Sequence, residues 1–250
     1  MLDRVAAILD VAALARAPIG LTELAVRVQA PVSSTQSLVN GLVAIGYLVE
    51  EDRRYTLGPA PFVLALRAGH RPLETVRHSD LTALHRATGL AAVTAIRVGD
   101  CAVYIDAVLG DGPGTGPLAY TARRYLRLPL HELAAGRLLL AHLPEDERLE
   151  YLAGHQGDQP RAVLELSNEL DNIRRDGYLI GPHGPLFPDT DAVVAPISEH
   201  GRVVATISLI GPQEIIDRHR DTLPALLIDA VHRWAERDAA TTAPTSTEDI

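Results

Sequence analysis

Lysine is absent from this chain: all 23 basic residues are arginine, which points to a GC-rich gene rather than to a function. Cysteine occurs once, at Cys101. That excludes an intrachain disulfide framework and any multi-cysteine metal site, and it suits a reducing cytoplasm. Cys101 lies in a strand-like stretch and reads as a small core residue. No apolar run reaches the roughly 18 to 20 residues that a bilayer-spanning helix needs. The opening "MLDRVAAILDVAALARAP" carries acids and lacks a cleavable apolar core, so no signal peptide is expected. A net charge of −9 gives no global attraction to nucleic acid or to an anionic membrane. G-x-S-x-G, H-E-x-x-H, the P-loop and the Rossmann fingerprint are all missing, so neither an enzyme nor a cofactor or metal is expected. These absences leave a soluble cytoplasmic protein with no membrane partner.

With 250 residues, 47% of them hydrophobic, the chain can build one large domain or a small one and a medium one. Residues 2 to 16 place Val5, Ile8, Leu9 and Ala12 at helical spacing, and a second short helix is predicted over 22 to 28. Pro31 in "QAPV" cannot continue a helix interior. Ser33 is predicted to open a third helix, with Gln36 three residues on completing a capping box. Leu38, Val39, Leu42 and Ile45 form its buried stripe, and Gly46 suits the position just past its end. "YLVEE" and "RYTL", separated by Asp52-Arg53, read as a hairpin. Two helices, a turn, a third helix and a hairpin within about 60 residues make the winged helix-turn-helix plan.

The apolar connector "PFVLALRAG" is too hydrophobic for a bare linker. Beyond it, a helix is predicted over 73 to 88, then a hairpin of "AAVTAIRV" and "CAVYIDAV" about Gly99-Asp100. "GDGPGTGP" (110 to 117) reads as a loop by composition. Helices follow over 132–143, 145–153 and 163–176, then a second hairpin of "DAVVAPI" and "RVVATISLI", and a last helix over 223–237. Hairpin strands mixed with helices give an α+β class on an antiparallel sheet. The boundaries implied are a winged helix-turn-helix domain at 1–58, a linker helix at 59–71, a second domain at 72–238, and a disordered tail at 239–250.

One feature of the first domain is unusual: between Val28 and Asp52 there is no basic residue. In a helix-turn-helix the start of the third helix meets the groove and the phosphates. Here it offers Ser33, Ser34, Thr35, Gln36 and Ser37, with Asn40 one turn on. Hydroxyls and amides bond phosphates, and Gln or Asn can read adenine bidentately. Over residues 1–66, five arginines (Arg4, Arg16, Arg27, Arg53, Arg54) face six acids (Asp3, Asp10, Glu23, Glu50, Glu51, Asp52), so the salt-dependent term should be small. Arg53 and Arg54 at the hairpin tip and Arg27 ahead of the turn are the candidate phosphate contacts. Two other readings stay open: an ordinary capped core helix, and a ligand sensor whose winged helix no longer binds DNA and works through protein contacts.

The fragments "LDRVAAILD", "GLTELAVRV", "SSTQSLVNGLVAIGYL", "YTLGP", "LPLHELAAGRLLLAHLPEDE", "ELDNIRRDGY" and "VVAPISEHGRVVATISLIGP" occur in that order over residues 2 to 237. Together they resemble the IclR family of bacterial transcriptional regulators. The resemblance implies an N-terminal winged helix-turn-helix, a linker helix and a C-terminal α/β effector-binding domain of GAF/profilin-like build. It implies a homodimer or homotetramer on palindromic double-stranded operator DNA. It also implies repression of neighbouring catabolic genes under control of a small organic effector. The effector lining carried over is Tyr120, Leu128, His131, Ala134, Ala135, His183, Ala192 and Ser208, with "GPHGPLFPDTD" as the loop above. Relatives that bind small polar acids tend to use an acid in that loop, a Cys near 192 and a Ser at 210. This chain has Pro182 or His183, Ala192 and Ile210 there, so an aromatic or larger acyl acid is expected rather than one of glyoxylate size. His131 reads more as a pin for the helix start than as a ligand contact, and His183 as an exposed loop residue.

Overall fold

A computed structural model describes residues 1–15, 17–68, 73, 75–110, 115–155 and 160–242. It divides into two compact units, Met1–Arg71 and Pro72–Ile250. The first contains α1 (Leu2–Leu14), β1 (Ile19–Gly20), α2 (Leu21–Arg27), α3 (Val32–Ala44), β2 (Leu48–Glu51), β3 (Arg54–Leu57) and α4 (Ala60–Arg67). Ile8, Leu24, Val39 and Leu48 are wholly buried at its centre, so each of the first three helices and the hairpin gives one side chain to the same core. The residues between β2 and β3, Asp52 and Arg53, both have positive φ (49° and 59°), the signature of a type I′ turn. Strand β1 adds to the hairpin edge through Ile19 opposite Tyr55. It is too short to leave an alternating pattern in the sequence.

Helix α3 departs from expectation at its start. It begins at Val32 with Pro31 as N-cap and has no side-chain cap, so the Ser33–Gln36 capping box does not form. The fixed φ of Pro31 suits a helix start. The hydroxyls of Ser34 and Thr35 donate instead to the Pro31 carbonyl at 2.9 and 3.0 Å. Thr35 joins Val39 and Leu42 in the buried stripe, whereas Ile45 is exposed. Gly46, at φ 77°, ends the helix as predicted. The predicted end of the first helix, Arg16, lies outside the described residues.

The second unit contains α5 (His78–Thr88), β4 (Ala91–Val98), β5 (Cys101–Val108), α6 (Thr115–Arg123), β6 (Leu128–Pro129), α7 (Ala134–Ala141), α8 (Glu145–His155), α9 (Pro160–Asp176), β7 (Leu179–Pro182), β8 (Thr190–Glu199), β9 (Arg202–Pro212), α10 (Gln213–Arg218) and α11 (Leu223–Thr242). The strands form one curled antiparallel sheet in the order β6-β5-β4-β9-β8-β7. Helices α7 and α9 cover one face and α5 and α11 belong to the core on the other, so alternate residues of each strand enter different cores. Both predicted hairpins are present. Among the described residues no helix is long and apolar enough to cross a membrane.

Four expectations need correction here. Helix α5 starts at His78, not Leu73, because the Asp80 carboxylate caps it: the Arg77 amide donates to Asp80 Oδ2 at 2.9 Å, and Arg237 clamps the same carboxylate at 2.8 Å through both terminal nitrogens. The loop expected over 110–117 is helical from Thr115; Pro117 is tolerated because a first-turn amide has no intrahelical acceptor. Residues 111–114 lie outside the described residues. Helix α11 runs on to Thr242, so 239–242 are not a disordered tail, and 243–250 lie outside the described residues. Cys101 is half-buried rather than in the core.

An L-residue in the left-handed region is strained by about 1 kcal/mol. Arg53→Gly is therefore expected to raise the stability of the first unit by up to about that amount in urea unfolding, while leaving the hairpin intact.

Candidate functional site: a DNA-reading helix and a polar cluster inside the second unit

Ser33, Ser37 and Asn40 form an exposed stripe along α3, at the spacing of successive helical turns. Gln36 is half-buried and donates from Nε2 to Asn40 Oδ1 at 2.6 Å, so the two amides are held as one unit. Thr35 is buried and faces away from any groove. It is withdrawn from the candidate contacts. Ser34 is half-buried with its proton committed to Pro31. Of the arginines, Arg27 is paired with Glu23 at 2.6 Å and Arg54 is tied to the Pro18 carbonyl at 3.0 Å. Arg53 is exposed at the turn with no side-chain partner among the described residues. Sequence reasoning missed Arg4. It lines an open hollow of about 680 Å³ together with Met1, Asp3, Ser34, Ser37 and Leu38, which places a guanidinium from α1 beside the uncharged α3. Only tertiary contact carries that information.

In the second unit, β-strand alternation sends Ala192, Val194, Ser208, Thr206, Ile210, Val93 and Ala95 to the face covered by α7. Ala134 and Ala135 open α7 on that face and Leu128 packs against its edge. Gly136 lies so close to Leu130 that a Cβ would collide with the Leu130 carbonyl. The Ala134 amide donates to the His183 carbonyl at 2.8 Å, and the His183 amide to Thr190 O at 3.0 Å, so the residue after β7 is pinned to the start of α7.

His183 is not the exposed loop residue expected; it is 1% exposed. Its ring stacks on Phe187 with centroids 4.1 Å apart, and its Nε2 lies 2.6 Å from the Tyr104 hydroxyl. Burial, helped by the nearby Arg137 guanidinium, pulls the imidazole down from 6.5 to about 3, so it is neutral at physiological pH. Burial also pushes the Tyr104 phenol well above its ordinary value. Tyr104 was not anticipated, because nothing in its local sequence separates it from an ordinary strand aromatic.

Two carried-over residues stand apart from this cluster. Tyr120 points outward from α6, 56% exposed, with the Arg124 guanidinium 4.8 Å from its ring centroid. The tyrosine facing the covered side of the sheet is Tyr104. His131 places Nδ1 2.9 Å from the Tyr151 hydroxyl and donates its amide to the same oxygen at 3.2 Å, which pins the turn before α7. Among the described residues, leaving aside arginine Nε atoms, four buried side-chain polar atoms have no hydrogen-bond partner: His183 Nδ1, Ser208 Oγ, Thr206 Oγ1 and Thr94 Oγ1. Three of these four belong to the face beneath α7. Each would cost about 1 to 3 kcal/mol if left unpaired.

Residues 67–237 match the family described as Bacterial transcriptional regulator IclR C-terminal, and residues 1–52 match the IclR helix-turn-helix domain. The chain belongs to the IclR family of bacterial transcriptional regulators: a DNA-binding regulatory protein, not an enzyme. It is 26% identical over 200 residues to the HTH-type transcriptional repressor AllR of Klebsiella pneumoniae, covering 77% of this chain and 72% of that one. It is 30% identical over 179 residues to the HTH-type transcriptional regulator KdgR of Dickeya chrysanthemi, covering 64% and 54%. In fold it is similar to an IclR homolog from Microbacterium hydrocarbonoxydans solved with 4-hydroxybenzoate, with a TM-score of 0.72, 23% identity, and 96% and 99% of the two chains covered.

The depressed His183 value fixes a direction for stability against pH. The unfolded imidazole takes up a proton below about 6.5 and the folded one does not until about 3. The full stability is present above pH 6.5 and falls as pH drops through that window. At pH 5 the native chain should have lost about 2 kcal/mol more than His183→Gln, measured by urea unfolding of both at pH 7 and pH 5.

Proposed function

We propose that the chain is a repressor that binds a palindromic operator as a dimer and is released or retained by a small organic acid held beneath α7. The observation that carries this reading is the set of unpaired polar atoms on the α7 face, which a soluble domain bears at a cost unless a ligand meets them. Ala134, Ala135 and Ala192 belong to the core on the same face, which supports an otherwise apolar site. A neighbour in fold holds 4-hydroxybenzoate. That supports an aromatic acid over a two-carbon one, and a GAF/profilin-like sensor domain is the matching architecture.

On the DNA side, specificity rests with the coupled pair Gln36 and Asn40, assisted by the Ser33 hydroxyl, while the Ser37 hydroxyl donates to the Ser33 carbonyl at 3.3 Å. Charge comes from outside α3, from Arg53 on the hairpin and Arg4 on α1, with Arg27 partly neutralised by Glu23 and Arg54 held by the Pro18 carbonyl. Two copies compensate for weak binding by each through effective concentration. The residues available to join them are on α4, which has no buried residue and exposes Phe62, Val63, Leu64 and Leu66. This supports reading α4, Ala60–Arg67, as the helical part of the linker expected over 59–71, between a DNA-binding domain at 1–58 and an effector domain at 72–238.

A gel-shift with the DNA upstream of the protein's own gene tests the reading, and no shift at low salt would sink it. Arg4→Ala or Arg53→Ala should weaken all sequences alike and flatten the salt slope by about one. Gln36→Ala or Asn40→Ala should instead cost about 1 to 3 kcal/mol at particular base pairs and little elsewhere. A thermal-shift screen should show stabilisation by aromatic acids; preference for glyoxylate would contradict the apolar site.

A further inference from the structure

Tyr104 belongs to β5 and His183 follows β7, and strands β4, β9 and β8 lie between them in the sheet. Their 2.6 Å hydrogen bond therefore spans the curled face, above the strand that carries Thr206 and Ser208. A buried phenol must give its proton to an acceptor, and His183 Nε2 is the acceptor in reach. A neutral imidazole that accepts at Nε2 carries its hydrogen on Nδ1. That Nδ1–H is buried and has no partner among the described residues. It is a donor without an acceptor, in a residue pinned by its own backbone to the first turn of α7.

The surroundings favour one chemistry. Among the described strand residues no carboxylate faces this side of the sheet: Asp191, next to Ala192 on β8, alternates to the opposite face. Arg137 is occupied by Glu169 at 2.9 Å and the Pro182 carbonyl at 2.7 Å. What remains are neutral donors, the imidazole Nδ1–H and the Ser208 and Thr206 hydroxyls, beside a helix N-terminus whose dipole favours negative charge. Such a set fits an anion's oxygens and repels nothing but a cation.

Resting on the effector reading above, we propose that Tyr104 and His183 form a carboxylate reader. Tyr104 is the positioning residue; it locks His183 in the Nδ1–H form, and Nδ1–H and the Ser208 hydroxyl hydrogen-bond the carboxylate of a planar aromatic acid. The ligand is recognised by neutral donors rather than by a salt bridge.

The test uses the full chain, with benzoate and benzylamine as probes in calorimetry and ¹⁵N NMR of the imidazole as the readout of tautomer. The native chain should show Nδ1 protonated and Nε2 bare before any ligand is added, and the Nδ1–H signal should move when benzoate binds. Benzylamine should not bind. Tyr104→Phe removes one oxygen and keeps the ring; it should weaken benzoate about tenfold and release the tautomer lock. An Nε2–H tautomer in the native chain overturns the proposal whether or not the variant folds. Benzoate binding that Tyr104→Phe leaves unchanged overturns the proposal alone. Binding of neither probe overturns the effector reading and the proposal with it.

Discussion

A buried phenol and a buried imidazole each need a partner, and in the second unit they find each other. The Tyr104–His183 bond ties β5 to the segment after β7, across the width of the covered sheet face. The His183 backbone then holds the start of α7 through the Ala134 amide. Gly184 fits only because it lacks a side chain, since a Cβ there would meet the Glu132 carbonyl. Sheet curl, helix position and loop path are thus coupled through one residue, and a molecule that engages it can bias all three. Among the described residues this face also keeps three polar groups without a partner, His183 Nδ1 and the Ser208 and Thr206 hydroxyls, which is where the proposed effector would act.

The first unit solves a different electrostatic problem. Helix α3 carries no charge; Ser34, Thr35 and Ser37 keep their hydroxyls on its own backbone, and the Gln36 and Asn40 amides are bonded to each other, the pair proposed to read the bases. The positive charge stands to either side, on α1 and on the hairpin turn. In the proposed operator contact, that separation would let attraction to phosphates and choice of base pair vary independently. Arg53 holds an unfavourable backbone conformation at the turn where Gly is the better residue, which fits retention of its guanidinium for a purpose other than stability.

Much of the fold was legible because it rests on periodicity and glycine punctuation. The two long hairpins and the end of α3 at Gly46 follow from alternation and from positions that need positive φ. Short elements such as β1 and β6, two residues each, carry no period to detect. The start of α5 was missed because its cap depends on Arg237, 157 residues away. Among the expected lining residues, Ala134, Ala135, Ala192 and Ser208 lie on one covered face of the sheet. Tyr120 does not, and Tyr104 and Arg4 were invisible because only the folded chain shows what each one meets. His183 looked like a loop histidine because "GPHGP" is turn-like in composition, yet a buried stack on Phe187 decides its state.

A crystal structure of the full chain soaked with benzoate tests the proposed role of the His183 Nδ1 donor most directly. The carboxylate is predicted to lie within about 3 Å of His183 Nδ1, with the ring against the alanines at the start of α7. Benzoate seated elsewhere, or an ordered water as the only partner of Nδ1 in the presence of saturating benzoate, would contradict it.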